Sequence, residues 1–188
     1  MRDLAPVRKL ALVLAAAVMP VCATAAPPAT FARPGVLSSI GQSSDIAVAK
    51  VLLNTKAKLG LEVKPLAQPA DLAGMKTLVV VIGASSKGLG AAGLDMDKEI
   101  ERTKALLQAA RAQGVRVLAL HTGGESRRGK TTNNLIRLVV PEADYVVVVA
   151  SGNKDRIFQA AAAPHNVPVV EVDSLAAAGD AVSALFKE

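Results

Sequence analysis

The hydrophobic residues of this chain fall into six short runs, with helix-like spacing of apolar residues in most of the intervals between them. Runs such as TLVVVI and YVVVV contain no charged position, which predicts strands that are covered on both faces of a sheet. The predicted strands span residues 36–40, 61–66, 77–82, 115–120, 145–149 and 167–172. The second run is more polar and contains Pro65, which cannot donate to a ladder, so we expect it at an edge.

Helical spacing follows most of these runs and ends at glycine or proline. The predicted helices begin near Ser44, Asp95, Thr131, Asp155 and Ser174. Alternation of strands and helices predicts an α/β fold, a three-layer sandwich around a mainly parallel six-stranded sheet. We favour the flavodoxin-like or Rossmann-like strand order 2-1-3-4-5-6, with a crevice between the ends of the strands at Ile40 and Ile82.

The N-terminal residues have the pattern of an export signal. A basic start precedes twelve residues, 10–21, that are apolar apart from Pro20, and Ala23-Thr24-Ala25 fits a signal-peptidase site. We predict a cleavable signal peptide at 1–25, a spacer at 26–33 and one α/β domain at 34–188. The expected location is the periplasm or the extracellular space, with no membrane span after cleavage; the alternative is an uncleaved apolar anchor.

Composition limits the classes of partner. Removing the net +2 of residues 1–25 from the formal charge of +6 leaves +4, which suits solubility. The chain holds only three Phe and one Tyr and has no long basic tract, so we predict no nucleic-acid binding. With two histidines and a single cysteine, Cys22, that falls in the signal, we also predict no metal site and no cofactor.

Four of the predicted strands are each followed by a loop of Gly, Ser and charged residues. Because the carboxyl ends of parallel strands share one edge of the sheet, these loops should meet there, where open α/β folds bind ligands. The residues predicted to bind a small anionic or polar ligand at this edge are Gln42, Ser43, Ser85, Ser86, Lys87, Gly88, Arg127, Arg128 and Asn153.

The segment GASSKGLGAAGLD, residues 83–95, has the residue types of an anion cradle. Its glycines permit close approach of backbone N–H groups to a ligand, and its serines and Lys87 add donors and charge. GLGAAG within it fits the letters of a dinucleotide fingerprint, but that match begins too far beyond the strand. The alternative is a flexible lid or a packing loop.

The segment after the fourth strand contains GESRRGKT, residues 124–131, which matches the phosphate-binding loop of nucleotide triphosphatases. Three observations oppose that function: the motif comes late in the fold, no aspartate ends a neighbouring strand to hold Mg²⁺, and export removes the chain from ATP. Arg127 and Arg128 can instead bind a carboxylate or phosphate, aided by helix N–H groups near Thr131. Alternatively, one arginine pairs with Glu125 or Asp95 and holds two loops together.

Catalysis is the second function that the sequence allows. His121 ends the fourth predicted strand and could act as a general base in a hydrolase or transferase, with Lys87 and Arg128 stabilising developing charge. It should then face the same cavity as Ser85 or Ser86. The alternative is a structural histidine at a strand end.

The loop motifs also resemble those of a known family. GQSSD, KTLVVVIGASSKGLGAAGLD, GGESRRG and PEADYVVVVASGNKD together look like an uncharacterised bacterial exported domain, a domain of unknown function. The resemblance covers essentially all of the predicted domain and implies a secreted or lipid-anchored α/β protein. It implies no activity, ligand or catalytic residue, and it indicates that Lys130-Thr131 is an incidental match to the nucleotide motif.

The sequence therefore favours an extracytoplasmic domain that binds a small anionic or polar ligand at the sheet edge. The alternatives are the periplasmic enzyme that uses His121, an interaction domain of a membrane complex and a nucleotide-binding protein.

Overall fold

A computed structural model describes residues 30–186, so the predicted signal peptide and most of the spacer lie outside the described residues. Among those described, no helix is both long and apolar enough to cross a bilayer. The strands are β1 Gly35–Ile40, β2 Glu62–Val63, β3 Thr77–Ile82, β4 Arg116–His121, β5 Tyr145–Val149 and β6 Val169–Val172. The helices are α1 Asp45–Lys50, α2 Ser86–Ala91, α3 Met96–Ala112, α4 Lys130–Val139, α5 Ile157–Ala162 and α6 Leu175–Leu185.

All six strands are parallel and lie in the order β2-β1-β3-β4-β5-β6, which confirms the predicted topology. β2 is shorter than predicted, although its pairing continues irregularly: the Lys64 N–H donates to the Leu37 carbonyl and the Ser39 N–H to that of Pro65. Because Pro65 has no N–H, the regular ladder ends before it.

Two layers of helices cover the sheet. α3, α4 and α5 pack on one face over a core that includes Val80, Ala119 and Val148. α1, the π-helical turn Val51–Lys56 and α6 pack on the other face, over strand residues such as Val81 and Leu120. Successive strand residues belong to opposite clusters, as the period of two requires, so the fold is a three-layer sandwich.

The start of the packed domain lies earlier than predicted. Phe31, which we placed in a spacer, is 1 % exposed and packs beside Phe186, with ring centroids 6.0 Å apart. Its N–H donates to the Leu185 carbonyl. The N–H of Ala32 donates to the Thr77 hydroxyl, which in turn donates to the Ala32 carbonyl. A large aromatic side chain within the core therefore fixes this end of the domain.

The segment after β3 is not the long loop that its glycines predicted. The chain turns at once into α2, where Ser85 accepts a hydrogen bond from the Gly88 N–H and caps the helix. Gly88 and Gly90 are therefore helical, and Gly88 is pressed against the carbonyl oxygen of Gln42, where a Cβ would collide. This glycine permits packing between two segments rather than contact with a ligand.

Candidate functional site

The predicted crevice between β1 and β3 is closed. Beyond the strand ends, the Ser43 N–H donates to the Gly83 carbonyl and the Ser85 N–H donates to the Gly41 carbonyl. Gly41 turns here with a φ of +94°, and a Cβ on it would stand 2.6 Å from the Gly83 oxygen. The two loops therefore extend the sheet instead of separating, and no ligand can enter between them without breaking these bonds.

A cleft of about 190 Å³ lies beside this closed point, between the segments that follow β3 and β4. One wall contains Ser86 and Leu89 of α2, together with Ala84 and Met96. The other wall is the continuous stretch from Ser126 to Thr132, the part of the chain that enters α4. The Thr132 hydroxyl accepts a hydrogen bond from the Ala84 N–H at 3.1 Å and joins the walls at the base.

The N-terminus of α4 has no side-chain cap. The helix begins at Lys130 after Gly129, which has no side chain to offer, and the first backbone bond into the helix is from Asn133 to the Gly129 carbonyl. The N–H groups of the first turn, residues 130–132, are thus the donors that a helix leaves free at its start, and all three residues line the cleft. They favour an anion there, and the helix dipole adds to that preference.

Three cationic side chains line the cleft and no acidic residue does. Two of the three are neutralised from outside it. Arg127 pairs with Asp45 and Arg128 pairs with Asp155, while Lys130 is exposed and has no acidic partner among residues 30–186. The unbalanced positive charge of the cleft therefore comes from Lys130 and the helix N-terminus.

Arg128 is fixed on all sides. Its two terminal nitrogens bond both carboxylate oxygens of Asp155, at 3.0 and 2.8 Å, one of them also bonds the Gly152 carbonyl, and Nε bonds Asn133. Only 12 % of the side chain is exposed, and hydrogen bonding from Arg128 holds the pKa of the Asp155 carboxyl below its usual value. Arg128 therefore holds two loops together, as the alternative interpretation proposed, but its partner is Asp155 rather than Glu125 or Asp95.

Asn153 and Gln42 are also bound within the fold. The buried Asn153 amide donates to Gln159 and Glu171, and its oxygen accepts from the Phe158 N–H. The Gln42 amide donates to backbone carbonyls and to Glu99, and its backbone stands in the left-handed region at a φ of +56°. Neither side chain is directed at the cleft.

The remaining predicted binding residues are divided between the cleft and its surroundings. Ser86 lines the cleft, and Ser85 caps α2 beside it. Lys87 is exposed on α2 but does not line the cleft, and Ser43 is buried, with its hydroxyl accepting from the Asp45 N–H. The structure therefore brings Ser86 together with Arg127 and Arg128, and it leaves Lys87 outside.

His121 does not face the cavity of Ser85 or Ser86, so that geometric expectation is wrong. The ring is fully buried, 5.3 Å from the ring of Phe158 in α5, and its Nδ1 lies 2.8 Å from the Ile82 carbonyl. Because that carbonyl can only accept, Nδ1 carries the proton, and Nε2 has no hydrogen-bond partner in the described chain. Burial lowers the pKa of this histidine below its usual value. A base without access to solvent or to the cleft cannot serve a reaction there.

Ser86 is likewise not an activated nucleophile. Its backbone is helical rather than in the left-handed region, and the one histidine at this edge is buried elsewhere. Among residues 30–186, no group of three or more His, Cys, Asp or Glu residues is placed to hold a metal ion.

The predicted binding residues omit four polar side chains of the cleft lining: Ser126, Lys130, Thr131 and Thr132. Lys130 and Thr131 were left out because the family resemblance indicated that they match the nucleotide motif incidentally. The signal was present in the letters GESRRGKT, which stand between a strand and a helix. The motif indicated the right place, and the sequence argument kept that place for an anion through Arg127, Arg128 and the helix N–H groups near Thr131, but it did not include the side chain of Lys130.

Comparison with known proteins agrees with the resemblance that the loop motifs carry. A search of curated proteins returns no match to the chain. A family model matches residues 32–186, which includes every strand and helix described above. The chain belongs to the family described as a domain of unknown function, DUF6305.

Proposed function

We propose that this domain binds a small anion in the cleft at the start of α4. The observation that carries the proposal is the uncapped first turn of α4, whose residues line a cleft that contains Lys130 and no acidic side chain. Backbone N–H groups at a helix start and an unpaired ammonium are the donors that a phosphate or carboxylate requires. The hydroxyl of Ser86 supplies a further donor, whereas that of Ser126 already donates to the Gly123 carbonyl.

The size of the cleft limits what it can enclose. About 190 Å³ is well below the range of roughly 300–1,000 Å³ that drug-sized ligands occupy. The site therefore fits inorganic phosphate, a small carboxylate or the charged head of a larger molecule whose remainder stays in solvent. This supports an anion-binding role over nucleotide binding, despite the match of residues 124–131 to the phosphate-loop pattern.

We also propose that the domain acts outside the cytoplasm. The basis is the basic start, the apolar stretch and the small-residue cleavage pattern of residues 1–25. The mass of the exported protein checks this, since cleavage after Ala25 removes those residues.

Inorganic phosphate is the probe for the site. Phosphate should raise the melting temperature of the wild type through linkage, and calorimetric titration should give a dissociation constant that rises with salt. Lys130→Gln removes the unpaired charge and should weaken binding about tenfold, the effect of one charge-assisted hydrogen bond. Lys50→Gln, an exposed lysine on α1, is the matched control and should bind like the wild type.

Two results would remove the proposal. One is a wild-type melting temperature unmoved by phosphate at low ionic strength; the other is equal phosphate affinity of Lys130→Gln and Lys50→Gln. ATP is a useful comparison, because a cleft that holds only the phosphate head should not bind ATP much more tightly than it binds phosphate.

A further inference from the structure

Asp45 occupies the meeting point of three strand ends. It begins α1 after β1, yet its carboxylate reaches across the ends of β3 and β4. A Cβ on Gly83 would stand 3.0 Å from Asp45 Oδ2, and one on Gly123 would stand 2.6 Å from the same oxygen. The space that a Cβ would need at these positions is therefore taken in part by this carboxylate, together with Ser43 Oγ at Gly83 and the stem of Arg127 at Gly123.

The carboxylate binds Arg127 from the cleft wall. Arg127 Nε donates to Asp45 Oδ1 at 3.1 Å, and Nη2 donates to the hydroxyl of Ser44 at 2.9 Å. The stem of Arg127 lies directly over Gly123, so both the stem and the head of this side chain are held. Its third nitrogen, Nη1, has no hydrogen bond among the described residues, and about a third of the side chain is exposed.

The negative charge of Asp45 disfavours an anion in the neighbouring cleft, so another interaction must account for its position there. An acid beside a site for anions weakens binding through space and neutralises an arginine that could attract the ligand. It is also expensive to bury: 10 % of the side chain is exposed, and Oδ2 has no partner in the described chain. What it provides is an acceptor that fixes Arg127 and, through it, the turn Glu125–Arg127 that precedes α4.

We propose that Asp45 is a positioning residue of the anion site, holding Arg127 and the Arg127-to-Lys130 wall in the geometry that binds. This inference rests on the proposed function. Asp45 acts through Arg127 and does not touch the anion, which is held by the first turn of α4, by Lys130 and by the free Nη1 of Arg127.

Two substitutions at Asp45 separate position from charge. Asp45→Asn and Asp45→Ala both remove the negative charge, but only asparagine keeps an oxygen that can accept from Arg127 Nε. Asp45→Asn should bind phosphate at least as tightly as the wild type, and Asp45→Ala should bind about fivefold more weakly than Asp45→Asn. In an Arg127→Ala background, the two Asp45 variants should bind alike, because the residue that Asp45 positions is gone.

Ser44→Ala gives a second test that does not depend on a buried position. Ser44 is exposed, and its loss removes the acceptor for Arg127 Nη2 alone. Phosphate binding should weaken about threefold, as expected for one hydrogen bond, and should be unaffected by this change once Arg127 is alanine. Melting curves establish that each variant is folded before its affinity is compared.

The possible failures are distinguishable. Equal affinities of Asp45→Asn and Asp45→Ala, or an unchanged affinity of Ser44→Ala where Asp45→Ala does not fold, would overturn the positioning role and leave the anion site intact. A wild type that binds no phosphate would overturn the proposed function and, with it, the role assigned to Asp45.

Discussion

The two arginines of the GESRRGKT segment show how side-chain partners decide what a residue can do. From the sequence they are equivalent donors to an anion, yet Arg128 is bound on every nitrogen, while one nitrogen of Arg127 has no hydrogen bond within the part of the chain that the structure describes. Their acidic partners lie 27 and 82 residues away along the chain. The neighbouring Lys130 has no acidic partner within residues 30–186, and its charge is the one in the cleft that none of these residues balances.

We expect substitution by alanine to have opposite effects on the free energy of unfolding at Gly123 and at Gly90. A Cβ on Gly123 would collide with the stem of Arg127 and approach Asp45 Oδ2, so Gly123→Ala should lower the free energy of unfolding by about 1–3 kcal/mol. Gly90 is exposed within α2 and a Cβ there would meet nothing within 4 Å, so Gly90→Ala should raise it by about 0.5–1 kcal/mol. Urea denaturation measures both. Similar stabilities of the two variants would contradict the contact of Asp45 and Arg127 over Gly123.

The sequence could predict which edge holds the cleft, but only three of the side chains that line it. Ser86, Arg127 and Arg128 were placed at the cleft, because loops that follow parallel strands meet at one edge. Lys87, Asn153 and His121 follow the same strands and do not reach it. Whether a side chain turns outward or is taken up by a neighbour depends on contacts made across the fold, and no local pattern encodes those contacts.

At the scale of elements, apolar runs were a better guide than glycine content. All six strands were located from apolar runs, and the runs without charges, such as those of β3 and β5, fit a sheet that is covered on both faces. The glycines of residues 83–95 instead predicted a loop, although six of these residues form α2. A capping serine and the absence of proline outweigh two glycines in a helix this short, and packing of Gly88 on Gln42 requires one of them.

Glu99 ties α3 to the turn that closes the β1–β3 crevice, and this tie should dominate the stability of the edge. Its buried carboxylate accepts from the Gly41 N–H at 2.7 Å and binds Arg102, which in turn donates to the Ser39 carbonyl. Glu99→Gln leaves the Arg102 charge buried without its counter-ion and should cost about 3–5 kcal/mol. Chemical denaturation checks this value.

The exposed pair of Arg111 and Glu142 supplies the control for Glu99. Their side chains are 69 % and 41 % exposed, so Glu142→Gln should change the free energy of unfolding by less than about 1 kcal/mol. If Glu99→Gln costs no more than Glu142→Gln, the buried pair does not hold the turn, and the closed crevice needs another explanation.

For the whole molecule, the strand order indicated the switch point between β1 and β3 as the place for a ligand, and the cleft lies one strand further along the sheet. The general rule places ligands where the loops of neighbouring strands diverge to opposite faces. Here those loops bond to each other, so the divergence leaves no opening. The nearest open place on the same edge is the start of α4, where a helix without a cap leaves its own donors unsatisfied.

Residues 30–186 should fold without the segment that precedes them. Residues 30–186 contain both core clusters described above, and Phe31 is the first of these described residues to enter the core. A chain that lacks residues 1–29 should therefore melt like the full-length protein, and reducing agent should not change its melting temperature, because Cys22, the only cysteine, is absent from it.

The same truncation carrying Phe31→Ala should have a free energy of unfolding lower by about 3–5 kcal/mol, which corresponds to a fall in melting temperature of the order of 10 °C. Thermal melts followed by circular dichroism compare the full-length protein, the truncated chain and the truncated chain with Phe31→Ala. Equal melting of the truncated chain with and without Phe31 would show that the segment before β1 is a spacer after all, and that the packed domain begins at Gly35.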